Sequence, residues 1–196
     1  MGAVMTEHGG WETPARFTSA QEEAVKVTRG VGLADVSWMT RLDLQGPGVQ
    51  AMPALDGRAR SWPLGPAHLL VTCDPDASAN VAAHVSSSNG VWMTDVTSVY
   101  AQLLLAGTRS RDVLRKLTSL NVSEGALPDL GCGQAAVSHV RSIVLRQDIG
   151  GVPAFHLLTG REYAESMWEA VEHAGHEFGL AAFGLEALEK LESAQK

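Results

Sequence analysis

One short phrase is written twice in this chain. Asp35-Val36-Ser37, followed by the alternating run Arg41-Leu42-Asp43-Leu44-Gln45 and Gly46, returns as Asp95-Val96-Thr97, followed by Gln102-Leu103-Leu104-Leu105-Ala106 and Gly107. The copies stand about sixty residues apart, and each leads into a segment able to open a helix, Pro47 to Met52 and Thr108 to Leu117. Self-similarity in this order indicates a duplicated supersecondary unit. Any architecture for the chain must therefore contain the turn, the strand and the closing glycine twice.

A chain of 196 residues can bury a substantial core as one large domain or two intimately packed lobes. Its net charge of -7, with no run of Lys or Arg, argues against a nucleic-acid partner, which requires a basic stripe to displace counterions. Apolar stretches such as Leu69-Leu70-Val71 fall far short of the roughly 20 residues that cross a bilayer. The N-terminal segment, with Glu7 and Glu12 and no apolar core, lacks a secretory pattern, so a cytoplasmic protein is expected. In that setting Cys73 and Cys132 are expected to be reduced.

Helices are predicted between hairpins. Ser19 with Glu22 fits a capping box, Ala24, Val25 and Val27 supply apolar positions and Gly30 stops the helix, which gives Ala20 to Arg29. Residues 46 to 66 carry so many Gly and Pro breakers that a loop-rich stretch is expected there. His68 to Cys73 reads as a buried strand, Ala77 to Val85 as a short helix, and Asn89-Gly90 as a turn. Ser142 to Gln147 and Ala154 to Leu158 flank Gly150-Gly151 as a hairpin. Tyr163, Met167, Val171, Ala174 and Phe178 recur at helical spacing up to Gly179, and Leu185, Leu188 and Leu191 mark a last short helix. Residues 1–17 are read as an N-terminal arm and 18–196 as one domain, with pseudo-repeats near 31–66 and 91–120 and a hairpin and helix over 140–180.

Candidate chemistry is sparse. His173 and His176 lie near Glu169, Glu172 and Glu177, but histidines in a last helical turn are explained by the dipole and by i,i+4 pairs, and no metal site is assigned. Gly131-Cys132-Gly133-Gln134-Ala135-Ala136 matches a dinucleotide-loop pattern, yet it lacks the preceding strand and following helix. Neither cysteine has an activating neighbour, and Cys73 reads as a small core residue. Arg109, Arg111, Arg115 and Lys116 form the main cationic cluster and are read as a solvated helix face rather than an anion site. No catalytic residue is assigned.

The stretch Val31-Gly32-Leu33-Ala34-Asp35-Val36-Ser37, with its strand ending in Gly46-Pro47, resembles the opening of the glycine-cleavage aminomethyltransferase (T-protein) family. The second copy, with Arg111-Asp112-Val113-Leu114, is similar to that family's following block. Arg161 to Ala170 and Glu177-Phe178-Gly179-Leu180 resemble its long helix and exit. The resemblance covers most of the chain after about residue 11. It implies an α+β, internally duplicated folate-binding-domain fold, mostly antiparallel sheets with packed helices, without the family's C-terminal domain.

The departures from the family bear on function. An acidic pair that assists transfer to tetrahydrofolate in catalytic members is reduced here to Asp56, in an interval shortened to Ala51 through Pro66. The position of a pterin-binding glutamate falls on Val152, and that of a folate-binding arginine on Leu188. A pterin site missing such partners loses roughly 1 to 3 kcal/mol for each group left unpaired, and loss of a general acid-base group costs about 10²- to 10⁴-fold in rate. No cofactor-binding residue is assigned.

Within this superfamily the chain is similar to the gamma subunit of heterotetrameric sarcosine oxidase in its size, its Leu64-Gly65-Pro66-Ala67-His68-Leu69-Leu70-Val71 block, its Cys132-Gly133-Gln134 segment and its Trp168 helix. That resemblance implies a non-catalytic subunit of a flavin- and folate-dependent demethylating complex, with flavins, NAD and folate on larger partner subunits and none on this chain. Trp11, Trp38, Trp62 and Trp92 are candidates for an exposed contact patch, with core packing expected for at least half of them. A minimal tetrahydrofolate-dependent aminomethyl or methyl transferase, with Asp95 or Asp56 replacing the lost acid, is the alternative. A stand-alone module for another small ligand is a third reading.

Overall fold

The repeated phrase folds as a turn that carries the chain from one sheet to another. The computed structural model describes residues 2–51, 55, 59–86 and 88–194. In the first copy, strand β3 (Gly32–Asp35) leads through the turn into β4 (Thr40–Gln45); in the second, β7 (Trp92–Asp95) leads into β8 (Tyr100–Ala106). The aspartate sets each turn, accepting a hydrogen bond from the backbone two residues on: Ser37 N donates to Asp35 Oδ1 at 2.9 Å, and Thr97 N to Asp95 Oδ1 at 2.8 Å.

The two copies then cross. β3 pairs antiparallel with β8, and β7 pairs antiparallel with β4, so each copy's short strand lies against the other copy's long one. Equivalent hydrogen bonds mark the crossing: Val36 N donates to Gln102 O and Val96 N to Arg41 O. Likewise Gln102 N donates to Ser37 Oγ and Arg41 N to Thr97 Oγ1, both at 3.0 Å. The closing glycines are required by backbone geometry. Gly46 has φ 126° and Gly107 φ 129°, and a Cβ on either would collide with the carbonyl oxygen of Gly90 or Gly30, respectively.

Two sheets grow from this crossing. One has β5 (Ala59–Gly65), β6 (His68–Cys73), β4 and β7 in that order. The other has β12 (Ala181–Ala182), β3, β8, β11 (Ala154–Gly160), β10 (Val140–Arg146) and β9 (Cys132–Val137). β8 is buried on both faces, which explains why it reads as a continuous apolar run. On one face Leu103 and Leu105 join α3 (Ser110–Leu117) and α4 (Ala164–Gly175). On the other, Leu104 and Ala106 meet α1 (Ala20–Arg29) and α5 (Leu185–Ser193). α2 (Ser78–Ser86) covers the four-stranded sheet, and Trp62, Leu70, Ile143, Leu145 and Leu158 fill the seam between the sheets.

Several local expectations need revision. Residues 46–66 are not simply loop, because β5 forms there despite Pro63; it is an edge strand, where a missing N–H is tolerated, and its register shifts between Pro63 and Gly65. The N-terminal arm contains a hairpin of β1 (Val4–His8) and β2 (Trp11–Arg16). At the start of α1, Ser19 Oγ accepts from Glu22 N, but the returning carboxylate is that of buried Glu23, which takes the Phe17 and Thr18 N–H groups and reaches Gly184 N at 2.8 Å. Tyr163 is exposed, since the chain there is a 3₁₀ turn before α4.

Arg41 and Gln102 occupy equivalent places in the two copies and meet at the crossing. Arg41 Nη1 donates to Gln102 Oε1 at 2.9 Å, and Gln102 Nε2 lies 3.0 Å from His156 Nδ1. Burial lowers the His156 imidazole to about 4, with Arg41 adding to the effect. A histidine held neutral in the fold contributes stability that is complete above its ordinary value near 6.5 and is lost as pH falls toward 4. Denaturant unfolding between pH 4 and 7 should therefore show about 3 kcal/mol of stability lost across that window. His156→Gln should flatten the slope, and an unchanged slope would contradict the assignment.

Candidate functional site

Cavity geometry is set at the edge of the α1 and α5 layer. A cavity of about 380 Å³ opens where the N-terminal hairpin, the turn after β3, the segment after β6 and α5 approach one another. Trp38 and His8 stack edge-on across it, with ring centroids 4.3 Å apart, and Leu188 lines its α5 side. The remaining rim is acidic: Asp74, Asp76, Glu189 and Glu192 line it, and no Lys or Arg does among the described residues.

Leu188 is 5% exposed and Val152 6% exposed, and both belong to the apolar cluster that contains Trp38, Ile149 and Leu191. The resemblance to the aminomethyltransferase family implies a folate-contacting arginine and glutamate at these two positions. The fold brings the two together, as side chains of a core rather than as a polar site. Asp56 lies outside the described residues. Asp95 is exposed, and its Oδ1 is engaged by Thr97 N in the crossing turn.

Other candidates resolve into structure. His173 and His176 are exposed at the end of α4, and no group of three metal-capable side chains converges among the described residues. Cys132 to Val137 is the strand β9, so the glycine pattern there is not a phosphate loop. Cys73 is buried and Cys132 half-buried, neither in a disulfide, and burial pushes the Cys132 thiol up, the opposite of nucleophile activation. Arg109 pairs with Asp112 and Lys116 with Glu177, each at 2.6 Å, while Arg111 pairs with Glu124; Arg109 and Lys116 also lie over the Phe178 ring. The cationic cluster is thus neutralised by its own neighbours.

Sequence reading missed His8 and the acidic rim. Their signal is weak because Asp74 and Glu189 are more than a hundred residues apart and converge only through the fold. Buried Arg146 was missed too; it binds Asp148 through Nε at 2.9 Å and Nη2 at 2.7 Å, Glu124 at 2.9 Å and Leu127 O at 2.8 Å, a network that ties the loop before β9 to the end of β10.

Comparison with known proteins fits this geometry. The sequence model of the GCVT N-terminal domain matches residues 62–194. Aminomethyltransferase of Streptomyces avermitilis is 27% identical over 97% of this chain and 59% of its own length. That of Geobacillus thermodenitrificans is 29% identical over 97% and 60%. The chain thus spans about three-fifths of these curated relatives. Among solved structures, the glycine cleavage system aminomethyltransferase T of Bartonella henselae superposes with a TM-score of 0.76 at 17% identity, covering 97% of this chain and 58% of that one. A chain of heterotetrameric sarcosine oxidase from Corynebacterium sp. U-96, solved in complex with pyrrole 2-carboxylate, superposes with a TM-score of 0.62 at 18% identity, covering 81% of this chain and 92% of that one.

If Leu188 is core, Leu188→Ala should cost about 2–4 kcal/mol in denaturant unfolding, and Leu188→Arg more, because it buries an unpaired charge. A cost below about 0.5 kcal/mol for both would show the position to be a surface or ligand-facing one.

Proposed function

The chain belongs to the family of the GCVT N-terminal domain, and from that membership we propose that it is a non-catalytic subunit, resembling the gamma subunit of sarcosine oxidase, of a flavin- and folate-dependent demethylating complex. The observation that carries this reading is the apolar burial of Val152 and Leu188 in one cluster. A pterin presents several donors and acceptors, and neither side chain can meet one. The acidic rim of the neighbouring cavity also disfavours folate, whose glutamate tail is anionic. In this proposal tetrahydrofolate, flavins and NAD are held by larger partner subunits in the cytoplasm. No described helix is long and apolar enough to cross a membrane.

The internal duplication supports a partner-facing surface. β3 is sealed along its outer edge by β12, in register Ala181 with Gly32, and Leu33 is fully buried. Its counterpart β7 is the edge of its sheet, and Trp92 there is 67% exposed beside exposed Met93. By contrast, Trp62 and Trp38 are buried and Trp11 is half-buried.

A tetrahydrofolate-dependent aminomethyltransferase or folate-binding protein is the second reading, favoured by the names of the curated relatives. Titration calorimetry of the purified chain with tetrahydrofolate separates the two. Loss of two polar partners weakens binding by about 10²-fold or more, so no saturable heat is expected below about 1 mM. Submillimolar saturation would favour the transferase and overturn the proposal.

A further inference from the structure

A second cavity, of about 220 Å³, lies in the seam between the two sheets and has no part in the subunit reading. Its floor is apolar, made by Leu70 of β6, Ile143 of β10 and Leu158 of β11. Its polar groups come from strands distant in sequence: Asp43 on β4, His68 on β6, Tyr100 on β8 and Arg141 on β10. The outer side is tied shut, because Gln134 Nε2 of β9 donates to Leu64 O at 3.1 Å and Cys132 Sγ lies 3.1 Å from Pro63 O.

The bonding within the cavity is uneven. Asp43 is engaged on both oxygens, Oδ1 by His68 Nε2 and Oδ2 by Gln45 Nε2 at 2.7 Å. Both of its oxygens are therefore taken by donors from the protein. Ser142 Oγ is turned to its own strand, donating to Val140 O at 3.0 Å. Arg141 is exposed and Tyr100 half-buried, and among the described residues neither side chain has a hydrogen-bond partner or an ion pair within the protein. Among the described residues Arg16, Arg109, Arg111, Arg115 and Arg146 are paired with carboxylates, whereas Arg141, like Arg29, Arg60 and Arg161, is in no ion pair.

We propose that this inter-sheet cavity binds a small organic monocarboxylate, its carboxylate held by Arg141 with the Tyr100 hydroxyl as second donor and its apolar body on Leu70, Ile143 and Leu158. The guanidinium fork matches a carboxylate in plane and charge, and an apolar floor with few convergent polar groups is the usual form of a small-ligand site. The volume, below that of a drug-sized pocket, selects a single ring or a short branched chain. A further cavity of about 380 Å³ shares Gln134 and Arg141 and adds His139, so Arg141 borders both. This site needs no catalytic role for the chain and is separate from the cavity at Leu188.

The test is an NMR titration of the isotope-labelled full chain with benzoate and with isovalerate, using benzamide as the neutral counterpart of benzoate. Saturable shifts at Tyr100, Gln134 and Arg141 are expected with at least one carboxylate, and binding about tenfold weaker for benzamide. Arg141→Gln should weaken the carboxylate by about tenfold or more with an unchanged melting temperature, and Tyr100→Phe less. Arg115→Gln, on α3 away from the cavity, should leave affinity as it was. Absence of saturation with both carboxylates overturns the proposal, as does equal binding of benzamide or an Arg141→Gln affinity equal to that of the unmodified chain. Any of these leaves the subunit proposal intact, since tetrahydrofolate calorimetry decides that separately.

Discussion

A guanidinium withdrawn from water persists only where oxygen atoms and negative charge meet it, and Arg41 finds both at the point where the two copies cross. Its Nη2 donates to Ser37 O of one turn and to Thr97 O of the other, while Nη1 reaches Gln102. Burial lowers its pKa to about 10, and Asp35 and Asp95, the two turn aspartates, work against that drop, so the group stays charged at neutral pH. Removing the side chain would leave two turn carbonyls and Gln102 Oε1 without their donor in a buried seam. The crossing fixes where β4 and β8 leave the two turns, and through them where both sheets, the seam and the helical layers stand.

The same duplication gives each cavity its place. In the first copy the sheet is closed: β3 has β12 along its edge, and Leu33 is fully buried. Where the copies diverge, surface is left over. β7 keeps its hydrogen bonds to β4 but has no outer neighbour among the described residues, and Trp92 lies over Gly46 rather than in a core. Outside the two copies, Val152 and Leu188 hold nonpolar side chains in one cluster with Trp38, Ile149 and Leu191.

Much of the fold could be read in the sequence because its signals are local. Ser19 and Gly30 bound α1, His68–Cys73 is a strand, and Gly179 in the left-handed region, with φ 70°, closes the long helical segment. The turn aspartates declare themselves by repetition. What stayed hidden depends on distance along the chain. Pro63 reads as a breaker until its strand proves to be an edge, and Tyr163 reads as core until its turn proves to be 3₁₀. The candidate sites were less legible still: Asp43, His68, Tyr100 and Arg141 are unremarkable in sequence and acquire meaning only when four strands bring them to one cavity. Val152 and Leu188 were singled out through resemblance, but that they share one cluster was not visible in the sequence.

A scaffold that folds around an internal crossing, with Val152 and Leu188 in its core, is proposed to bind a partner. Purification of the intact protein from its own cells, with identification of the chains attached to it, tests that claim most directly. Recovery in a fixed ratio with larger flavin-bearing subunits is the predicted result. A lone chain that carries reduced folate through gel filtration would contradict it.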